Sequence, residues 1–462
     1  MSVYAELVCR SNFSFLRGAS HPEELIATAA RLGLPALAMT DVDGLYGLVK
    51  AHLAAKEHGI KLIIGTELIL TDGPPVVVYA MNSEGYSNVC RLVSASRMSH
   101  PKGESGLPWR AVAERSEGLI ALLPNPAPLE QVAPLAQAFP GRFYVGLCRS
   151  LSAGDTAREA KADALAQALG VPLCAHNDVH THHRRRQPLQ DVLTAIRHKT
   201  TVDKGGTRLL PNAERTLKSP QEMARLFRDR PEVLERTLEI ASRCGATLDD
   251  LRYHFSEEDL PPGRTAMDHL WALTEEGLTV RYPGGVPPEV RKQIEHEMTL
   301  IEALDFPGYF LALWDIVHFA RSRGILCQGR GSAANSVVCY ALQITAIDPV
   351  RMGLLFERFL SMERREPPDI DVDFEHERRE EVLQYVYEKH GRHRAGMVCE
   401  FICYRGRLAL REVGKALGLS LDQVDRLSKI SAAYGFDVTP EVLTEVGLSA
   451  ADSRVRQTLT LA

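Results

Sequence analysis

The residues best suited to chemistry in this 462-residue sequence lie between Gly329 and Phe374. Three carboxylates, Asp369, Asp371 and Asp373, recur at two-residue spacing, with Ile370, Val372 and Phe374 at the alternate positions. On a β-strand this spacing sends every acid to one face and every apolar residue to the other. The apolar face can bury, but neighbouring like charges repel, and aspartate is a poor strand former unless a cation compensates it. Divalent metal is one such cation. Mg²⁺ takes oxygen ligands, usually one or two carboxylates plus substrate phosphates, and a pair of such ions activates an attacking hydroxyl and steadies a leaving pyrophosphate. An edge strand whose acids deter pairing gives the same pattern, and Pro367-Pro368 at its entry suits an edge.

Upstream, Gly329-Arg330-Gly331-Ser332-Ala333-Ala334-Asn335-Ser336 is a small-residue loop, and Val337 to Leu342 reads as the helix it opens. Glycines let the backbone approach an anion, and a helix N-terminus is an anion site. The loop lacks G-x-x-x-x-G-K-[ST], which argues against a P-loop ATPase. A Gly-Ser pair opening a helix, followed by Asp-x-Asp on a strand, resembles the layout of polymerase-β-like nucleotidyltransferases.

The resemblance extends along the chain. Tyr309-Phe310-Leu311, Gln328 to Ser332, Asp348-Pro349, Leu354 to Leu360 and Pro368 to Asp373 are similar to the palm of bacterial C-family DNA polymerases, the family of the DNA polymerase III alpha subunit. Ala333-Ala334-Asn335-Ser336, Glu363 to Pro368 and Arg378 to Val386 resemble its error-prone, damage-inducible translesion branch. The resemblance implies template-directed DNA synthesis, with Asp369 and Asp371 as catalytic Mg²⁺ ligands, Asp373 supporting them, and Arg330, Gly331 and Ser332 holding the triphosphate. It implies primer-template DNA and deoxynucleoside triphosphates as substrates. It also implies a sliding clamp and damage-induced accessory mutagenesis proteins as partners. In such polymerases a third aspartate and the fingers come after the thumb, so a chain ending at Ala462 is expected to be an N-terminal portion, inactive alone.

These groups need elements to position them. The N-terminal half alternates apolar runs (35–39, 61–65, 119–123, 143–147, 171–175) with helical patterns (21–32, 45–57, 157–169), as in an α/β barrel or a doubly wound sheet. Chemistry in such barrels sits at the C-terminal ends of strands, where this chain carries Asp41, Glu67, Asp178 and His180. They resemble the metal motifs of the polymerase-and-histidinol-phosphatase (PHP) domain, with departures. The family's opening His-x-His falls on Val8 and Arg10, the His of its Thr-Asp-His falls on Val42, and its cysteine ligand falls in Pro124-Asn125-Pro126. Valine cannot ligate a metal, and an arginine there can take the cation's place by pairing with Asp41 or Glu67. The surviving Asp41, Glu67, Asp178 and His180 suffice for one weak remnant metal site at most, with a barrel metal left open and no hydrolysis expected. The fold class expected is therefore α/β: a PHP-type α/β barrel (1–248), a polymerase-β-like nucleotidyltransferase palm (249–400) and a partial helical thumb (401–462). The first boundary rests on the shift near Tyr253-His254-Phe255.

Composition is that of a globular chain, 45% hydrophobic and 24% charged, long enough for two to four domains. A net charge of −5 does not advertise nucleic-acid binding, but Arg378 to Lys415 holds nine Lys or Arg against five acids. That excess suits DNA phosphates or a solvated face with pairs such as Arg378 and Glu381. The His176 to Arg186 cluster reads as solvated surface, apart from His180. Nine cysteines without Cys-x-x-Cys argue against structural zinc, and the absence of a long apolar stretch gives a cytoplasmic expectation with no membrane span. Two rivals stay open: a metal-dependent phosphoesterase working through the barrel, and a non-catalytic DNA- or partner-binding scaffold.

Overall fold

The computed structural model describes residues 4–251, 260–356, 359–360, 367–398, 400–434, 439–445 and 447–462. Tyr253-His254-Phe255, Glu357-Arg358 and Glu363 to Glu366 lie outside the described residues. The chain forms two compact units, Met1–Leu251 with Ile402–Ala462, and Arg252–Phe401.

Apolar runs become the strands of the first unit: β1 Ala36–Met39, β2 Lys61–Leu68, β3 Val76–Ala80, β4 Leu119–Leu123, β5 Phe143–Leu147 and β6 Leu173–Ala175, hydrogen-bonded in that order. The pairs β1–β2, β4–β5 and β5–β6 are parallel, while β2–β3 and β3–β4 are antiparallel. The extended N-terminal segment lies alongside β1 through Ala38 N–H to Glu6 C=O (2.8 Å) and Thr40 N–H to Cys9 C=O (2.9 Å). The same segment reaches the residues after β6 through Val179 N–H to Val8 C=O (2.8 Å) and Arg10 N–H to Val179 C=O (2.9 Å), so the sheet curls round as a barrel does.

Both faces of this sheet are buried, which is why its strands read as continuous apolar runs. Leu37, Ile64, Val78 and Ala121 pack into the core shared with helices such as Pro22–Leu32, whereas Ala38, Ile63, Tyr79 and Leu122 pack with Ile240 and Ala241 of helix Pro231–Arg243. That helix covers the starts of the parallel strands, with Lys61 Nζ donating to Ala241 C=O (2.7 Å) and Tyr144 hydroxyl to Glu239 (2.7 Å). The opposite end is left for Asp41, Glu67 and Asp178. Helix Pro220–Leu226 opens with the capping box expected of Ser219 and Glu222. Strand β3 is absent from the sequence reading, because an antiparallel β2–β3 hairpin has no helix between its strands and breaks the alternation sought there. Helix Arg407–Ala416 packs Val413 and Ala416 against Val192 and Ala195 of helix Gln187–Arg197.

The second unit combines helices Ala266–Arg281, Pro288–Ala303 and Pro307–Ser322 with a two-stranded antiparallel sheet, β7 Cys327–Arg330 and β8 Asp371–Phe374. Its core includes Leu270, Ile294, Phe310, Val337 and Phe356. Among the described residues no helix is long and apolar enough to cross a membrane.

Candidate active site

The period-two argument holds along β8 and just before it: Asp369, Asp371 and Asp373 are exposed, and Ile370, Val372 and Phe374 are half-buried. Ile370 and Val372 pack on the unit's main core, and Phe374 packs beside Ala320, Ile325 and Val382. The paired strand is shorter than the acidic run. Asp369 precedes the ladder, where Tyr309 hydroxyl donates to Pro368 C=O (2.6 Å). Burial pushes the Tyr309 phenol up to about 12, and the Asp369 charge adds to this.

Register brings the loop to the acids. Arg330 of β7 stands opposite Asp371, and Gln328 stands opposite Asp373. Arg330 Nε pairs with Asp373 Oδ2 at 3.0 Å, but with both side chains more than 60% exposed the pair contributes little stability. Among the described residues no cation pairs with the carboxylates of Asp369 or Asp371. Gly331 follows at φ +63, a left-handed turn suited to glycine, and a Cβ built there would lie 4.0 Å from Asp371 Oδ2. Ser332 hydroxyl donates to Asp369 C=O (3.2 Å), tying the turn Gly331–Asn335 to the approach of β8. At Gly329 a Cβ would meet Ile344 C=O at 2.7 Å, so only glycine lets β7 approach that segment.

One expectation needs correcting. The N-terminus of helix Val337–Ala341 is already occupied, by the carboxylate of Glu297. Glu297 is fully buried and accepts from Val337 N–H (3.0 Å), Val338 N–H (3.1 Å), Ser336 hydroxyl (2.7 Å) and Gln293 amide (3.1 Å). Burial pushes its pKa up to about 7. The Gly331-Ser332 turn makes no contact with this carboxylate, and its Ser332 hydroxyl is on Asp369 C=O. The sequence carries a signal for this residue. An acid at position 297 falls in the buried stripe Val290, Ile294, Met298 and Ile301, where an unpartnered charge is not tolerated.

At the barrel end that carries Asp41, Glu67 and Asp178, the buried Arg10 guanidinium binds Glu67 (Nε to Oε2, 3.0 Å) and also contacts Asp178 and His180 Nε2 (3.1 Å). Arg10 thus pairs with Glu67, as the sequence suggested, but with Asp178 rather than Asp41. Asp41 instead accepts from Ser11 N–H (2.7 Å), Ser11 hydroxyl (2.7 Å) and Ser14 hydroxyl (2.6 Å). Arg215 forms a second ion pair with Asp178, a partner that sequence reasoning missed because it lies 37 residues downstream in an irregular segment. Burial and the Arg10 charge push the His180 imidazole down to about 3, leaving it neutral, and its Nδ1 is bound to Arg17 C=O (2.7 Å). His176 is buried and bound to Pro124 C=O (2.9 Å), not part of a solvated cluster. Arginine here takes the coordination that a metal would need, so the donor set does not fit a cation; among the described residues no three His, Cys, Asp or Glu side chains converge as metal ligands.

The basic run from Arg378 to Lys415 is partly neutralised. Arg378 pairs with Glu381 (2.8 Å), Lys389 with Asp315 (2.7 Å), Arg411 with Asp425 (2.7 Å) and Lys415 with Glu412 (2.8 Å).

Comparison with known proteins gives two family matches. Residues 6–167 match the PHP domain, and residues 268–461 match the bacterial DNA polymerase III alpha NTPase domain. The two matches join a PHP domain to a domain of the bacterial DNA polymerase III alpha family, and the chain is similar to that family along most of its length. Within that family it is similar to error-prone DNA polymerases: 51% identical to that of Methylococcus capsulatus over all of this chain and 44% of the relative, and 48% identical to those of Anaeromyxobacter sp. (99% and 49%) and Pseudomonas aeruginosa (100% and 45%). The chain spans about half the length of the curated relatives it matches. Among solved structures, an amidohydrolase from Chromobacterium violaceum with bound sulfate and no metal is 16% identical over 39% of this chain and 88% of that one, with a TM-score of 0.31.

Proposed function

We propose that this chain is the N-terminal part of an error-prone DNA polymerase that extends a primer by template-directed nucleotidyl transfer, using β8 as its acidic strand. The observation that carries this reading is the row of exposed acids along β8, in register with Arg330 and followed at once by the Gly331-Ser332 turn. Asp369 and Asp371, lacking cationic partners among the described residues, are the carboxylates that would hold Mg²⁺, a hard-oxygen pair that leaves coordination positions for phosphate and water. Mg²⁺ bound there would supply charge neutralisation for the attacking and leaving oxygens. Asp373, held by Arg330, supports them from the next outward position. Gly331 and Ser332 would offer backbone amides to the triphosphate, the Ser332 hydroxyl would have to turn from Asp369 C=O to join them, and Arg330 adds a cation that can leave Asp373 for a phosphate.

In this reading, residues 1–248 form a barrel that keeps the PHP shape without its metal, residues 249–400 form the palm, and residues 401–462 begin the thumb. Primer-template DNA and deoxynucleoside triphosphates are the substrates, and the sliding clamp and damage-induced accessory proteins are the partners. A chimera of residues 1–462 with the downstream half of the Methylococcus capsulatus relative tests the reading by primer extension. Incorporation that depends on Mg²⁺ and is abolished by Asp369→Asn with Asp371→Asn supports it. Incorporation indifferent to both substitutions rules it out.

A further inference from the structure

Helix Val337–Ala341 has five residues, yet ionic side chains hold both its ends. Glu297 fills the N-terminus, as described above. Toward the C-terminal end Arg281 donates to Tyr340 C=O (2.9 Å) and to Thr345 C=O (2.8 Å), and Arg321 donates to Gln343 C=O (2.8 Å). Between them Gly277 packs so tightly that a Cβ would meet Ala341 C=O at 2.0 Å. Anion at the start and cations at the end match the polarity of the helix, here through direct hydrogen bonds.

Helix capping alone does not need a buried carboxylate. Ser336 hydroxyl already accepts from Cys339 N–H (3.1 Å), and removing a carboxylate from water is unfavourable until its partners compensate. What Glu297 adds is a link from helix Pro288–Ala303 to Ser336, the residue that ends the turn Gly331–Asn335. We propose that Glu297 is a positioning residue that fixes this turn, and with it Gly331 and Ser332, against the acidic face of β8. The purpose of that fixing rests on reading Gly331 and Ser332 as triphosphate-binding groups; the fixing itself does not.

Hydrogen exchange on the 462-residue chain, with and without Glu297→Gln, separates the two. The glutamine keeps the volume but sets an N–H₂ against donors. Exchange at residues 331–335 is expected to quicken at least tenfold, while β1 to β6 are unchanged. The groups around the carboxyl are Gln293, Ser336 and the Cys339 thiol, with Arg281 and Arg321 toward the other end of the helix. Because burial holds the closed-state carboxyl near neutrality, opening becomes easier as pH rises toward about 7 and then levels off. Wild-type exchange at 331–338 should therefore climb more steeply with pH below 7 than free-peptide amides do, and the excess should vanish in Glu297→Gln.

Unchanged exchange at 331–335, or an increase confined to 336–341, overturns the proposal. If Glu297→Gln also loses protection in helix Ala266–Arg281, Ser336→Ala decides: faster exchange at 331–335 alone supports the link, and none refutes it. Titration with a fluorescent deoxynucleoside triphosphate and Mg²⁺ is the second arm. Tenfold weaker binding in Glu297→Gln supports the proposal, and equal binding opposes it. No binding by the wild type, with the exchange result intact, removes the triphosphate reading and leaves the fixed turn.

Discussion

Replacing Arg10 with methionine should destabilise the barrel by about 3–5 kcal/mol at pH 7, the cost typical of breaking a buried ion pair from one side. The substitution keeps an unbranched apolar stem but removes the guanidinium, which strands Glu67 and leaves Asp178 to Arg215 alone, with both carboxylates almost wholly buried. The stranded acid can escape by taking up a proton. For an ordinary glutamic acid that costs about 3.7 kcal/mol at pH 7 and about 1 kcal/mol at pH 5, so the two routes meet near neutrality and diverge in acid. The loss should accordingly shrink to about 1–2 kcal/mol at pH 5. Trp109 is the sole tryptophan of Met1–Leu251 and Ile402–Ala462, while Trp271 and Trp314 belong to the other unit. Urea unfolding followed by fluorescence in a Trp271→Phe, Trp314→Phe background therefore reports on the barrel unit. A loss below about 1 kcal/mol at pH 7, or an equal loss at both pH values, would show that Arg10 does not serve as the internal cation.

Three further outcomes are expected. The chain should not degrade labelled single-stranded DNA in Mn²⁺ or Zn²⁺, since Arg10 sits among the surviving ligands; degradation that survives Asp369→Ala with Asp371→Ala but is lost in Asp178→Ala would contradict this. In the chimera, Asp371→Asn should lower incorporation by at least about 10²–10³-fold with DNA binding nearly intact, because the lost charge acts where charge develops; parental rates at saturating Mg²⁺ would reduce β8 to an edge strand. The unit holding Glu297 should be more stable at pH 5 than at pH 7 by on the order of 2 kcal/mol from this group. A folded-state carboxyl raised to about 7 contributes stability that is present below its unfolded value and lost as pH rises through the folded one. Trp271 and Trp314 fluorescence in a Trp109→Phe background should show the difference, and Glu297→Gln should remove it.

The parts of the chain legible in the sequence are those whose physics is local. Alternation along Asp369 to Phe374 is a property of consecutive residues, so the exposed acid face follows from the strand period alone. Buried parallel strands such as β4 and β5 announce themselves as unbroken apolar runs for the same reason. Where the deciding contact is distant the sequence gives less. Arg10 standing in a ligand position was enough to expect a pairing, but not to choose Asp178 over Asp41. That choice depends on how closely Ser11 and Ser14 wrap Asp41, which the curl of the N-terminal segment decides.

The Gly331 loop carries the same lesson further. Its glycines and the helix after it suggest an anion at the helix N-terminus, and an anion is there, but it is a side chain 40 residues upstream. A five-residue helix has too few internal hydrogen bonds to hold its own ends, so its neighbours must supply them. Helix Pro288–Ala303 supplies the carboxylate, and helices Ala266–Arg281 and Pro307–Ser322 supply the guanidinium groups near the other end. The amides of Val337 and Val338 are already bound to Glu297, so in the proposed reading a phosphate takes its donors from the preceding turn, at Gly331 and Ser332. Gly331 directly follows Arg330, which stands opposite Asp371, and Ser332 is hydrogen-bonded to Asp369 C=O. On that reading the buried acid leaves an incoming anion no place at the helix and only the turn beside the carboxylates of β8, a juxtaposition that a bridging cation would make favourable.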